Sequence, residues 1–199
     1  MKRILIFLAL IPCLCMGQLT NKRGQELYAN ELTASIGTPS FVGSTIMFVV
    51  DVIDAFGSAL TDGTFDNTFH GQYTLQYMHR FKPWFAFGGK ATYEGYGIRN
   101  YTDKSKTVRN GSSSIWFSTL MPTVRFSYVN RPVVTLYSGL DMGILFAGMQ
   151  DIDDNRIFGV LPAGNITLMG IHVGRKVYGM GELNFGFDAY AKIGIGYRF

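Results

Sequence analysis

The chain has 199 residues, of which 15% are aromatic and only 16% charged, with 24 glycines and a formal net charge of +4. A soluble domain of this size carries more charge on its surface. No apolar run beyond the N-terminal segment reaches the 18 residues of a helical membrane span, and the weak basic excess gives no electrostatic case for nucleic acid. What remains is a class that combines many rings, many glycines and sparse charge: a β-barrel with an apolar outer face and a polar interior.

The first residues read as an export signal. Met1-Lys2-Arg3 is a charged start, Ile4 to Leu14 an apolar run, and Cys15-Met16-Gly17 a small-residue cleavage site ahead of Gln18-Leu19-Thr20. Residues 1–17 are therefore expected to be removed, leaving 18–199 as one barrel domain. About 11 apolar residues at 1.5 Å each reach only ~17 Å, against a hydrocarbon core of roughly 30 Å, so this is no anchor. Pro12 precedes Cys13 and Leu14 precedes Cys15, so lipid attachment is not expected either. Both cysteines leave with the leader, and with them the chemistry of disulfides, metal thiolates and cysteine nucleophiles. Loss of Lys2 and Arg3 takes Lys+Arg from 18 to 16 against 14 acids, which lowers the charge from +4 to +2.

Period-two alternation marks strands, because neighbouring side chains point to opposite faces. A first strand over about Leu27 to Gly37 turns Leu32, Ala34 and Ile36 outward. The long connection 38–69 holds Phe41 to Leu60, where Ile46, Val49, Val50, Ile53 and Ala59 recur near helical spacing with Asp51 and Asp54 between them. This predicts a short amphipathic helix on the barrel rim or in the membrane interface, with an extended hairpin as the alternative. Tyr73, Leu75, Tyr77, His79 and Phe81 then face outward against Thr74, Gln76, Met78 and Arg80. After a tight turn at Lys82-Pro83, Phe85, Phe87, Gly89, Ala91 and Tyr93 oppose Lys90, Thr92 and Glu94.

The unit recurs twice more. Trp116, Leu120, Val124, Phe126 and Tyr128 alternate with Thr119, Thr123, Arg125 and Ser127, and Pro122, which cannot donate to a ladder, predicts a bulge. Beyond a turn at Asn130-Arg131-Pro132, Val134, Leu136, Leu140, Met142, Ile144 and Phe146 oppose Thr135, Gly139, Asp141 and Gly143. The third hairpin runs from about Leu161 to Arg175 and returns from Tyr178 to Phe187; Ile166, Leu168, Met169, Ile171 and Val173 do not keep one parity there. The last strand sets Ile193, Ile195, Tyr197 and Phe199 against Lys192, Gly194, Gly196 and Arg198.

The count is eight, and the connections alternate between short (82–83, 130–132, 176–177) and long (38–69, 99–113, 150–160), broken only by a short one near Asp188-Ala189. The expected fold is an all-β, eight-stranded antiparallel up-and-down transmembrane barrel with a helix in its first long loop and both termini in the periplasm. A soluble lipocalin-like barrel, apolar face inward, is the competing environment. Against it stands the aromatic C-terminus: Tyr197 and Phe199 resemble the signal read by the barrel-assembly machinery.

The inward positions collect Glu31, Arg80, Lys90, Glu94, Arg125, Asp141, Glu182, Lys192 and Arg198, five basic and four acidic. An eight-stranded barrel is only wide enough for side chains to fill, so these are expected to pair into a closed network, with a narrow pore as the alternative.

Several segments together resemble a family. Gly71-Gln72-Tyr73 through Tyr77, Lys82-Pro83-Trp84 with Gly88-Gly89 and Tyr93, Leu120-Met121-Pro122 before Arg125, Leu136-Tyr137-Ser138-Gly139-Leu140, and Gly181-Glu182-Leu183 leading to Gly194-Ile195-Gly196-Tyr197-Arg198-Phe199 are similar to the small outer-membrane β-barrel proteins of Bacteroidota. That resemblance implies the OmpA/OmpX-like barrel class, here without a peptidoglycan-binding domain.

Catalytic signals are sparse. Of the three histidines, His79 alternates with outward rings and suits an interface, His172 lies where parity is lost, and His70 is near the predicted outer rim with Asp66 and Ser112 to Ser114. No spacing ties His70 to one serine, so a lipid A-modifying enzyme is the alternative function rather than the expected one. Asp151-Ile152-Asp153-Asp154-Asn155 is oxygen-rich but lacks the glycine and distant glutamate of a calcium loop, and Gly194-Ile195-Gly196 cannot open a helix at the chain end. No metal or cofactor is expected. The expected function is a structural or surface-interaction role as a monomer among outer-membrane lipid and lipopolysaccharide.

Overall fold

Long β-rich segments with one apolar and one polar face can satisfy every backbone group and still shield the polar face only by closing into a ring. The computed structural model, which describes residues 19–20, 26–60, 64–101, 109–150 and 156–199, is such a ring. Strands β1 (Asn30–Gly37), β2 (Thr64–Lys82), β3 (Phe85–Tyr101), β4 (Arg109–Asn130), β5 (Val134–Gln150), β6 (Arg156–Gly174), β7 (Val177–Gly186) and β8 (Ala191–Arg198) pair with their sequence neighbours, all antiparallel, and β8 closes on β1. Helix α1 (Phe41–Leu60) joins β1 to β2. Leu19–Thr20 and Glu26–Leu27 form a small separate pair. The predicted leader and the Asp151–Asn155 run lie outside the described residues.

The predicted parity holds on every strand where alternation was clean. Ile193 and Ile195 are 70% and 69% exposed, while Lys192 and Arg198, at positions of the opposite parity on the same strand, are buried. Around the outside runs an aliphatic band of Leu75, Leu120, Leu140, Ile144, Ile166 and Ile195, with aromatic girdles at both edges. One girdle stacks Trp84 on Phe126 and Tyr197 on Phe199, and the other contains Trp116, Phe146 and Phe158.

Two expectations change. Pro122 causes no bulge: the β4–β5 ladder skips Met121 and Pro122 but resumes in register, Leu120 with Ile144 and Thr123 with Asp141, and the slip falls instead between Ser127 and Val129. Losing one donor weakens the ladder locally without requiring an extra residue. The segments 99–113 and 150–160 are not long loops. Strands β3 to β6 continue as a projecting wall to Tyr101, Arg109, Gln150 and Arg156; Ser112 to Ser114 carry no apolar face, and Arg156 to Pro162 is exposed at every position, so neither stretch shows the apolar–polar alternation that marks a strand. The lost parity of β6 has a definite cause: an extra residue between Thr167 and Met169 relative to both neighbours, which turns Leu168 and Met169 outward together and restores alternation at Gly170. A further bulge at His70-Gly71 needs the positive φ of Gly71, +101°.

Candidate functional site

The nine charged residues expected inward all lie buried within the ring, and eight of them form two tiers. The tier nearer the short turns is centred on Glu31, at the start of β1. Its Oε1 accepts from Arg80 (2.6 Å) and Arg198 (3.3 Å), and its Oε2 from Arg125 (2.5 Å). Arg125 also lies over the Tyr137 ring and Arg198 over the Tyr178 ring, each at 4.3 Å. The second tier is centred on two lysines. Lys90 reaches Asp141 (2.6 Å) and Asp188 (2.7 Å); Lys192 reaches Asp188 (2.6 Å) and Glu182 (2.9 Å). Asn165 donates to Asp141 at 2.7 Å.

A hydrogen-bond relay joins the tiers. Tyr137 donates to Glu182 (2.5 Å), so its oxygen accepts from His172 Nε2–H (2.9 Å), and His172 Nδ1 accepts from Arg198 (3.2 Å). The network itself therefore selects the tautomer of His172. This fully buried histidine, whose direction sequence could not fix, becomes an inward link because the Leu168 bulge shifts its parity.

Two residues central to this network escaped sequence reasoning. Tyr137 stands at an inward parity position between Thr135 and Gly139, and that signal was available. Asp188 had none: it belongs to the connection 187–190, which folds into the lumen, where it bridges both lysines and accepts from Thr74 at 3.4 Å. Its presence changes the charge balance. Among the described lumen residues the five bases Arg80, Lys90, Arg125, Lys192 and Arg198 now meet five acids, Glu31, Glu94, Asp141, Glu182 and Asp188. Low dielectric makes an uncompensated buried charge expensive, so this equality matters more than any one distance.

Among the described residues no cation lies within salt-bridge reach of Glu94. It accepts instead from Gln72 Nε2 (3.1 Å), the Tyr96 hydroxyl and the backbone N–H of Ser40 (3.0 Å). Ser40 caps α1, its hydroxyl oxygen accepting from the Gly43 N–H at 3.0 Å, so the carboxylate faces the positive end of the helix. Beyond Glu94 the lumen becomes apolar. Tyr96, Phe117, Met121, Leu145 and Ala163 cluster there, and Ile46 and Met47 of α1 pack on them. The interior is thus ionic toward the short turns and greasy toward the other end, where the helix closes it.

His70 projects outward and is exposed, with Tyr73 donating to its carbonyl at 3.3 Å. Ser112 and Ser114 are exposed and Ser113 buried; among the described residues no hydrogen bond connects any of them to His70. His79 Nδ1–H donates to Asn30 Oδ1 at 2.8 Å beside Phe81, the amphipathic setting expected of it. Tyr197 and Phe199 stack at the short-turn edge, and Phe199 exchanges backbone hydrogen bonds with Asn30 at 3.0 Å.

Fold and lumen together define an eight-stranded up-and-down barrel with a filled, charge-balanced interior. No protein-family model and no curated protein matches the chain. Among solved structures it is similar to Ail, the attachment invasion locus protein of Yersinia pestis, in complex with the heparin analogue sucrose octasulfate, at 13% identity and a TM-score of 0.47, covering 86% of this chain and 99% of that one. It is also similar to the N-terminal β-barrel domain of Pseudomonas aeruginosa OprF, at 11% identity and a TM-score of 0.42, over 87% and 100% of the two chains. At such identities the likeness concerns chain topology alone.

Proposed function

We propose that the chain is an integral outer-membrane β-barrel with a structural or surface-interaction role, a monomer among lipid and lipopolysaccharide whose lumen its own side chains hold shut. The observation that carries this reading is the distribution of side chains across one sheet: ions and amides on the enclosed face, aliphatic residues between two aromatic girdles on the open face. A soluble monomer rarely exposes a contiguous apolar patch beyond a few hundred Å², whereas lipid removes the cost of this one. A lipocalin-like barrel would carry the opposite polarity.

On this reading residues 1–17 direct export, Tyr197 and Phe199 present the assembly signal to the barrel-assembly machinery, and the short turns face the periplasm with both termini. The resemblance to small barrels of Bacteroidota belongs with it. Refolded protein should migrate differently before and after boiling in mild detergent, and planar bilayers should show no steady single-channel steps. Identical migration would overturn the barrel reading; regular steps would overturn the closed lumen.

A further inference from the structure

The barrel wall is uneven. Strands β1 and β8 have 8 residues each and β7 has 10, whereas β2 to β6 have 17 to 22. At ~3.3 Å per residue and a tilt of about 40°, an eight-residue strand rises only ~20 Å along the barrel axis. An outer-membrane apolar band is about 25 Å tall, so β8 and β1 leave the last ~5 Å without a strand wall.

Helix α1 spans that gap. In the ring the order is β7, β8, β1, β2, and α1 packs against β7 and β2, the strands on either side of the short pair. Its first turn is tied to the β7–β8 side: Ser40 bridges Ala189, and the Phe41 ring meets Phe185 at 5.0 Å and Tyr190 at 6.4 Å. Its third turn is tied to β2, where Asn67 donates to Asp51 at 2.5 Å. The side facing the lumen is Gly43, Ile46 and Met47. The opposite side is apolar too. Phe41, Thr45, Phe48 and Val52 follow one another at i, i+4, i+7 and i+11, and all are exposed, Phe48 at 68%. A helix that only plugged a pore would turn a polar back to water.

We infer that this outer stripe of α1 is seated in the outer-leaflet lipid, so that the helix completes the membrane-facing wall above β8 and β1 while its inner side closes the lumen. Lipid is the occupant because the stripe is continuous with the lipid-facing surface: Phe41 packs directly on Phe185 and Tyr190 at the girdle. The helix is not one that crosses a membrane; none among the described residues is long and apolar enough. It lies along the interface instead. The inference rests on the membrane reading above.

The test uses the whole barrel refolded in vesicles, with Trp84→Phe and Trp116→Phe removing the native indoles. Phe48→Trp is placed on the helix stripe and Ile195→Trp on the strand band, and each is measured in phosphatidylcholine brominated either near the top of its acyl chains or deeper. Phe48→Trp should lose emission mainly to the shallow bromines, Ile195→Trp mainly to the deep ones, and neither to aqueous iodide. If Ile195→Trp is quenched by bromine but Phe48→Trp only by iodide, the helix faces water and the inference fails while the membrane reading stands. Quenching of Phe48→Trp by neither agent means that protein covers it, which also overturns the inference. If neither probe responds to bromine, the membrane reading falls and takes the inference with it. Folding is checked by heat-modifiable migration, and Thr45→Trp, on the same stripe, replaces Phe48→Trp if that variant does not assemble.

Discussion

Replacing Glu31 by Gln tests whether the lumen is a set of mutually dependent ions. The change keeps volume and shape, but it removes the one anion among the described residues in direct contact with Arg80, Arg125 and Arg198 and turns an amide NH₂ toward guanidinium donors. Glu31 is 2% exposed and its partners no more than 5%, so water does not screen the loss. Breaking a buried pair by deleting one partner costs about 3–5 kcal/mol, chiefly because the other partner is left unpaired in low dielectric. At ~1.4 kcal/mol per tenfold this is roughly two to three and a half powers of ten in the folding equilibrium. With a urea slope of about 2 kcal/mol/M, the unfolding midpoint in lipid vesicles should fall by ~1.5–2.5 M. The double variant Glu31→Gln/Arg80→Met restores four bases to four acids and should recover part of the loss. A midpoint for Glu31→Gln within ~0.5 kcal/mol of the parent, the scatter of neutral surface changes, would refute the reasoning.

Asp188→Asn leaves both Lys90 and Lys192 without a shared anion and should destabilise by a comparable ~3 kcal/mol, read in the same vesicle assay. Gly88→Ala should cost more than Gly89→Ala, because a Cβ at Gly88 meets the Tyr77 carbonyl and Met78 backbone, which cannot move aside. At Gly89 nothing lies within 4 Å. Overpacking of this kind costs about 1–3 kcal/mol, against ~0.5 or less for the open position, and refolding yield separates the two. Ile195→Arg, on the exposed middle of the band, should lose about 2–4 kcal/mol in bilayers; an unchanged stability would argue that the band does not face lipid.

Much of this architecture was legible residue by residue. Strand parity is a local property: once one side chain points inward, the pleat dictates its neighbours, so Arg80, Lys90, Arg125 and Arg198 could be assigned to the interior without knowing what they touch. The same locality explains the errors. Across the Leu168 bulge parity breaks, and His172 could be oriented only by the register of β5 and β7 on either side. The projecting ends of β3 to β6 hold their place by pairing with one another, a fact no single segment carries.

The amino-acid order alone thus determined how many ribbons there are, which way each but β6 turns its greasy side, and that ions must share the enclosed space, because these follow from backbone geometry and the cost of burying charge. Tertiary structure decided which ions meet. Asp188 comes inward from a turn, where no period applies, and a helix from the first connection fits over the two shortest strands. Both depend on distances between residues far apart in the chain, which alternation cannot encode.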